Sequence, residues 1–173
     1  MKKIASLLMT IVVLLSINIS FAQISKAEII ATGLTCSMCS NAINKQLKSL
    51  PEVQNVAIDL NTNTFTVTLK KNNNISPKIL KEKVQKAGFF VGSMIITLDF
   101  DNQKIQNNAK INKNNLYLIF LDTNAKTLNG LTNLKILDKE YVVTKEFKKL
   151  SKLYSNIPTF LAENQDDYHL KVL

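Results

Sequence analysis

Tryptophan is absent from this chain, and cysteine, histidine, proline and glycine are all scarce. Two cysteines are too few to staple a scaffold with disulfides. Their close spacing points instead to metal or redox chemistry. The one histidine, His169, is a lone imidazole and does not make a metal site. It is expected as a surface or packed strand residue. Asp166 and Asp167 read as a solvated turn rather than a ligand pair. Acidic residues are outnumbered 13 to 22 by basic ones, a net charge of +9. No lysine cluster is interleaved with stacking aromatics, so the surplus reads as a solvated lysine surface, and nucleic-acid binding is not expected. Disorder is not the default either, because 46% of residues are hydrophobic, as in ordinary globular proteins. A length of 173 residues allows one or two small domains.

Only one apolar run is long, and it lies at the start. Lys2 and Lys3 precede a stretch from Ile4 to Ile19 broken only by Ser6, Thr10, Ser16 and Asn18. Ser20-Phe21-Ala22 places small residues where a signal peptidase reads them. Residues 1–22 are therefore expected to be a signal peptide, cleaved before Gln23. The run is short for a membrane span, and no cysteine follows it to carry a lipid. Loss of Lys2 and Lys3, with no acidic residue in the segment, leaves a charge of +7. The expectation is a secreted protein, in a bacterial periplasm, with no stable membrane insertion after cleavage.

Both cysteines fall in Gly33-Leu34-Thr35-Cys36-Ser37-Met38-Cys39. Before this stretch, residues 26–32 read as a strand. After it, Ala42, Ile43, Leu47 and Leu50 recur at helical spacing, until Pro51 stops the helix. Cys36 is then expected in a loop and Cys39 in the first helical turn. Two sulfurs aimed at one point, beside unpaired N–H groups and the positive end of a helix dipole, favour the thiolate form. A thiolate pair with no hard oxygen ligands in reach suits a soft ion such as Cu(I), Zn(II) or Hg(II).

These residues resemble the motif Gly-Met-Thr-Cys-x-x-Cys of the heavy-metal-associated (HMA) domain, found in copper chaperones, copper ATPases and periplasmic mercury-binding proteins. The departure is Leu34, where the family usually carries an inward-packing Met. The resemblance covers about residues 26–100. It implies a ferredoxin-like βαββαβ fold, metal ligands Cys36 and Cys39, and no enzymatic activity. It also implies that the loop after the second helix, Ala87-Gly88-Phe89, approaches the metal loop. Phe89 is either a shield for the sulfurs or ordinary core. Met38, between the cysteines, is expected to face solvent or a partner rather than to ligate. Thr35 stands where zinc-exporting relatives tend to carry Asp, which favours Cu(I).

The residue pattern agrees with that order. Val56, Ile58 and Leu60 alternate with polar neighbours, and so do Phe65, Val67 and Leu69, as in half-buried strands. The polar stretch 61–64 joins them as a hairpin. Ser76-Pro77 starts a second helix with a buried stripe of Ile79, Leu80, Val84 and Ala87, and Gly88 ends it. Residues 89–98 form the last strand. The fold class is α+β, with the HMA domain at 23–100.

Residues 101–115, rich in Asn, Lys and Gln, are expected as a linker. Residues 116–173 then form a small, mainly-β domain of unknown role. Its material is a buried strand at 116–121, a turn at Asn129-Gly130, and strands near 134–136 and 141–143. A helix capped by Thr144 carries Phe147, Leu150, Leu153 and Tyr154, and closing strands lie at 159–161 and 168–172.

The function expected is exported soft-metal binding, with Cu(I) carried and handed over by Cys36 and Cys39. The partner is a copper-transporting ATPase or another HMA-type acceptor, and the protein is a monomer. Mercury binding uses the same two thiolates. A thiol–disulfide oxidoreductase is the enzymatic alternative, against which stand the Ser37-Met38 pair between the cysteines and the order of elements. A structural surface protein with an incidental C-x-x-C is the third class.

Overall fold

The alternating Thr-Phe-Thr-Val-Thr-Leu of residues 64–69 puts Phe65, Val67 and Leu69 on one side of a strand, and all three are buried. The rest of the first half is built the same way around it. The computed structural model describes residues 23–34, 37–113, 116–162 and 167–173; the expected signal peptide lies outside them.

The first half runs β1 (Ile24–Thr32), α1 (Ser37–Lys48), β2 (Val53–Asp59), β3 (Thr64–Leu69), α2 (Pro77–Lys86) and β4 (Phe90–Ile105). Its strands lie in the order β2-β3-β1-β4, every pair antiparallel. That is the ferredoxin-like α+β arrangement. At its centre Ile29 of β1 faces Phe65 of β3 on one side and Met94 of β4 on the other, all three fully buried. Helix α1 buries Ser40, Ile43 and Leu47, and α2 buries Pro77, Leu80 and Val84. Each such aliphatic side chain contributes roughly 1.5–3 kcal/mol on burial. Helix α2 starts where expected. Ser76 is the N-cap, its side chain accepting from the Ile79 N–H at 3.4 Å, with Pro77 next. The polar loop before it is pinned from within. The buried Asn73 side chain donates to the carbonyls of Ile24 (3.0 Å) and Lys70 (2.7 Å) and accepts from the Ile75 N–H at 3.2 Å.

The expected linker is not one. Strand β4 runs sixteen residues, to Ile105, and β5 (Lys110–Lys113) follows after a short turn. Ile105 is buried in the same core as the first half, and Ile111 packs against it. The second half continues with β6 (Leu116–Phe120), β7 (Lys126–Ile136), α3 (Thr144–Leu153), α4 (Pro158–Leu161) and β8 (Asp167–Val172). These strands extend the same sheet, giving one eight-stranded order, β2-β3-β1-β4-β7-β8-β6-β5. Strand β7 runs antiparallel to β4 from Ile95↔Lys135 to Ile105↔Lys126. β8 lies between β7 and β6, parallel to β6, a pairing that needs the long crossover through β7, α3 and α4. The second half is therefore four more strands of one sheet, with two helices, rather than a separate mainly-β domain.

Three local expectations change with it. Asn129-Gly130 is not a turn but part of β7, opposite a bulge in β4. Pairing steps from Phe100↔Gly130 to Gln103↔Leu128, with Asn102 at φ +46° and Gly130 at φ +72°. Residues 159–161 are not a strand: Pro158 opens the short helix α4. Val143, not Thr144, is the N-cap of α3, and no side chain caps it. Of the expected strand at 141–143, Val142 makes isolated bridges to Ser93 and Lys139.

One core spans both halves on the side of the sheet covered by α1 and α2. A second, smaller core of Ile119, Leu121, Leu137, Tyr154 and Phe160 lies on the opposite side, under α3 and α4. Leu116, Leu118 and Phe120 of β6 feed the first and Ile119 the second, so from Leu118 on the strand is buried on both faces, while Tyr117 is exposed.

Candidate functional site

Strand β1 delivers the chain to the loop at Gly33, whose φ of +88° suits glycine. Leu34 is half-buried and packs against the main core, the inward role expected for it. Thr35 and Cys36 lie outside the described residues, as does the side chain of Ser37. Helix α1 opens at Ser37, so Cys39 stands in its first turn, as expected, and is half-buried. No acidic residue in that turn offsets the positive end of the helix dipole, while Lys45 and Lys48 complement the other end. This favours a thiolate at Cys39. Met38 is 78% exposed and stands out toward solvent.

The α2–β4 connection comes up against Gly33, where that loop begins. The chain turns at Gly88, φ +89°, after α2 ends. Phe89 is half-buried against the core, and its ring Cδ1 lies 3.8 Å from where a Cβ on Gly33 would be. The expected approach of this loop to the cysteine loop is thus present, and Phe89 is both rim of the core and neighbour of the loop. Phe90 beside it is 67% exposed. Its backbone pairs with Thr32, whose hydroxyl donates to the Phe90 carbonyl at 3.4 Å.

A contact from the second half also reaches this end of the sheet. Gly92 sits at a register shift between β1 and β4. A Cβ there would lie 2.5 Å from Thr32 Cγ2 and 3.4 Å from Val143 Cγ1. The start of α3 therefore packs behind the last residue of β1 before the loop. Sequence reasoning missed this support. Its one signal was an isolated glycine within a strand pattern, which marks a bulge or a close approach.

The other candidate residues lie elsewhere. His169 is buried in β8. Its Nδ1 is 2.7 Å from Asp138 Oδ1, its backbone N–H donates to Asp138 Oδ2 at 2.8 Å, and Nε2 is 3.0 Å from the Thr159 hydroxyl. It is a packed strand residue that ties β8 to the turn after β7 and to α4. Asp167 is buried, not in a solvated turn: Lys110 Nζ lies 2.9 Å from Oδ1 and donates to Oδ2 at 3.0 Å. Asp166 lies outside the described residues. Among the described residues no three of His, Cys, Asp and Glu converge on one point. Nor is any described helix long and apolar enough to cross a membrane.

Residues 28–90 match the heavy-metal-associated domain. Over 57 residues, 33% of this chain and 6% of the relative, the chain is 40% identical to a copper-transporting ATPase of Saccharomyces cerevisiae. It thus spans only a small part of that protein. Two solved structures are similar to part of the chain. The yeast copper transporter domain Ccc2a, described in apo and Cu(I)-loaded states, is 36% identical, with 37% of this chain and 86% of that one covered and a TM-score of 0.34. The N-terminal domain of a potential copper-translocating P-type ATPase from Bacillus subtilis, in the Cu(I)-loaded state, is 34% identical, with 39% and 82% covered and a TM-score of 0.35.

Proposed function

Residues 28–90 of this chain belong to the heavy-metal-associated domain family, a metal-binding module, and from that premise we propose that the protein is an exported carrier of Cu(I). Cys36 and Cys39 hold the ion as two thiolates and hand it to a partner. The observation that carries this reading is the placement of Cys39 in the first turn of α1, with Gly33, at the start of the preceding loop, beside Phe89.

Two soft ligands satisfy Cu(I), whereas zinc wants four and fills closed structural sites with all of them. Among the described residues no group of three His, Cys, Asp or Glu side chains converges there. Met38 is directed to solvent, and His169 is engaged by Asp138 and Thr159 in the second half. A two-coordinate ion leaves room for a thiolate of the incoming partner. The ion then moves one sulfur at a time and is never released. Phe89 shields the sulfurs on one side, while the exposed Met38 and Phe90 form the apolar lip a partner meets. The acceptor is a copper-transporting ATPase or another domain of the same family, consistent with the yeast relative. The protein acts as a monomer and performs no catalysis. Thiol–disulfide exchange is the weaker reading, because the order strand, helix, strand, strand, helix, strand differs from that of thioredoxin-like enzymes.

The test is Cu(I) competition against a chelator under reducing, anaerobic conditions. Wild type is expected to bind one equivalent. Cys36→Ser and Cys39→Ser are each expected to lose tight binding with an unchanged circular dichroism spectrum. Tight binding retained in either variant overturns the two-thiolate site. Thr35→Asp, which adds an oxygen ligand beside Cys36, is expected to narrow the preference for Cu(I) over zinc.

A further inference from the structure

The lysine surplus is concentrated in one place the metal chemistry does not use. Helix α3 carries Lys145, Lys148, Lys149 and Lys152, a spacing of i, i+3, i+4 and i+7 that puts all four on one face, and all four are exposed. At 1.5 Å per residue the stripe is about 10 Å long. Among the described residues none of the four enters a salt bridge. The acidic residue of the helix, Glu146, is taken by Lys135 at 2.7 Å.

Folding does not ask for this stripe. Like charges three and four apart on a helix repel. The helix is held from its other face, where Phe147 stacks on Phe160 with centroids 5.8 Å apart, Leu150 packs on the second core and Tyr154 is buried in it. The end of the stripe is also apolar: Leu153 is 64% exposed there. Leu161 of α4, the helix that the Tyr154–Phe160 contact at 5.1 Å holds against α3, is 53% exposed.

We propose that this face of α3 docks on an anionic phospholipid surface. Four lysines on one helical face meet the headgroup charge, and Leu153 and Leu161 enter the boundary with the acyl chains. A soluble polyanion would use the lysines and leave the two leucines in water; a bilayer uses both. Val143, at the start of α3, packs against Gly92 behind Thr32, so the docked helix lies at the end of the sheet that carries the cysteine loop. A carrier held this way presents its metal loop close to the membrane. The docking itself does not depend on the metal assignment.

The test is co-sedimentation of residues 23–173, which contain every described element, with phosphatidylcholine vesicles with and without phosphatidylglycerol. Wild type is expected to bind only the anionic vesicles and to be released as salt screens the charges. Replacing the four lysines together by Gln is expected to weaken this binding by on the order of a hundredfold or more. Leu153→Ser with Leu161→Ser is expected to weaken it about tenfold. Both variants are expected to keep the circular dichroism spectrum and the Cu(I) affinity of wild type, which separates this outcome from failure of the metal site. The proposal is overturned if wild type ignores anionic vesicles at low salt or if the lysine variant binds them like wild type. It is also overturned if the leucine variant is unaffected while soluble polyglutamate or duplex DNA binds wild type as well as vesicles do.

Discussion

The two halves of the sheet bury their strands differently. In β1 and β3 one face packs under α1 and α2, while the other carries half-exposed threonines and the 38% exposed Ile30. In β6, Leu118 and Phe120 enter the main core and Ile119 the second one beneath α3 and α4, joined there by Leu121 just past the strand. The first half is thus two layers thick and the second is covered on both faces. Strand β4 belongs to both, pairing with β1 on one side and β7 on the other. The thinner half carries Gly33 at the end of β1 and Cys39 in the first turn of α1. The thicker half closes the edge that β4 would otherwise expose and backs the loop from behind through Val143.

If the halves are one cooperative unit, damage to the thicker half must be felt in the thinner one. Phe120→Ala is the harshest test. Phe120 is fully buried and packs edge-to-face on Phe100 at 6.5 Å. The loss is expected to be about 3–5 kcal/mol. Denaturant unfolding followed both by circular dichroism and by a probe attached near α1 should give one coincident transition, shifted as a whole. Two separated transitions, with the α1 probe unmoved, would break the single sheet into independent domains.

Gly92→Ala comes next. Its new Cβ would meet Thr32 Cγ2 at 2.5 Å, so β1 or the start of α3 must shift, at about 1–3 kcal/mol. The amide signals of residues 31–34 should move with those of Val142 and Val143. A change confined to Gly92 itself would deny the coupling. Ser76→Ala removes the α2 cap and should cost about 1 kcal/mol in chemical denaturation. No loss there would mean that Pro77 alone sets the start of that helix. The smallest effect is expected from Glu140→Gln. It breaks the 2.7 Å pair with Lys81 that links the turn after β7 to α2, with Glu140 half exposed. A surface pair of this kind contributes about 0–1 kcal/mol, and the change should shrink further in high salt.

The thinner half was legible in the sequence because its strands alternate and its helices carry their own start and stop signals. Ser76-Pro77, Gly88 and the Phe65–Val67–Leu69 stripe each act within a few residues of themselves. The loop's place between β1 and α1 followed from the same local signals, as did Cys39 in the first turn; the approach of Phe89 was implied by the family resemblance. The thicker half depends on partners far along the chain. Residues 101–104 look like linker because their side chains are polar, yet Gln103, Lys104 and Ile105 pair with Leu128, Thr127 and Lys126. Asn129-Gly130 carries turn chemistry that the fold uses for a bulge. The run at 159–161 has strand composition, but Pro158 and the contact of Phe160 with His169, centroids 5.0 Å apart, make it a short helix. The approach of Val143 to Gly92 joins residues 51 apart, and to Thr32 residues 111 apart, and no local pattern reports it.

The central claim is that the loop between β1 and α1 holds one soft ion by the sulfurs of Cys36 and Cys39. X-ray absorption at the copper edge, on protein loaded with one equivalent of Cu(I) in the presence of reductant, tests it most directly. The predicted spectrum has two sulfur scatterers and no nitrogen or second copper. A nitrogen donor would bring in His169 or another group, a copper–copper vector would mean a site shared between two molecules, and either would contradict the two-thiolate carrier.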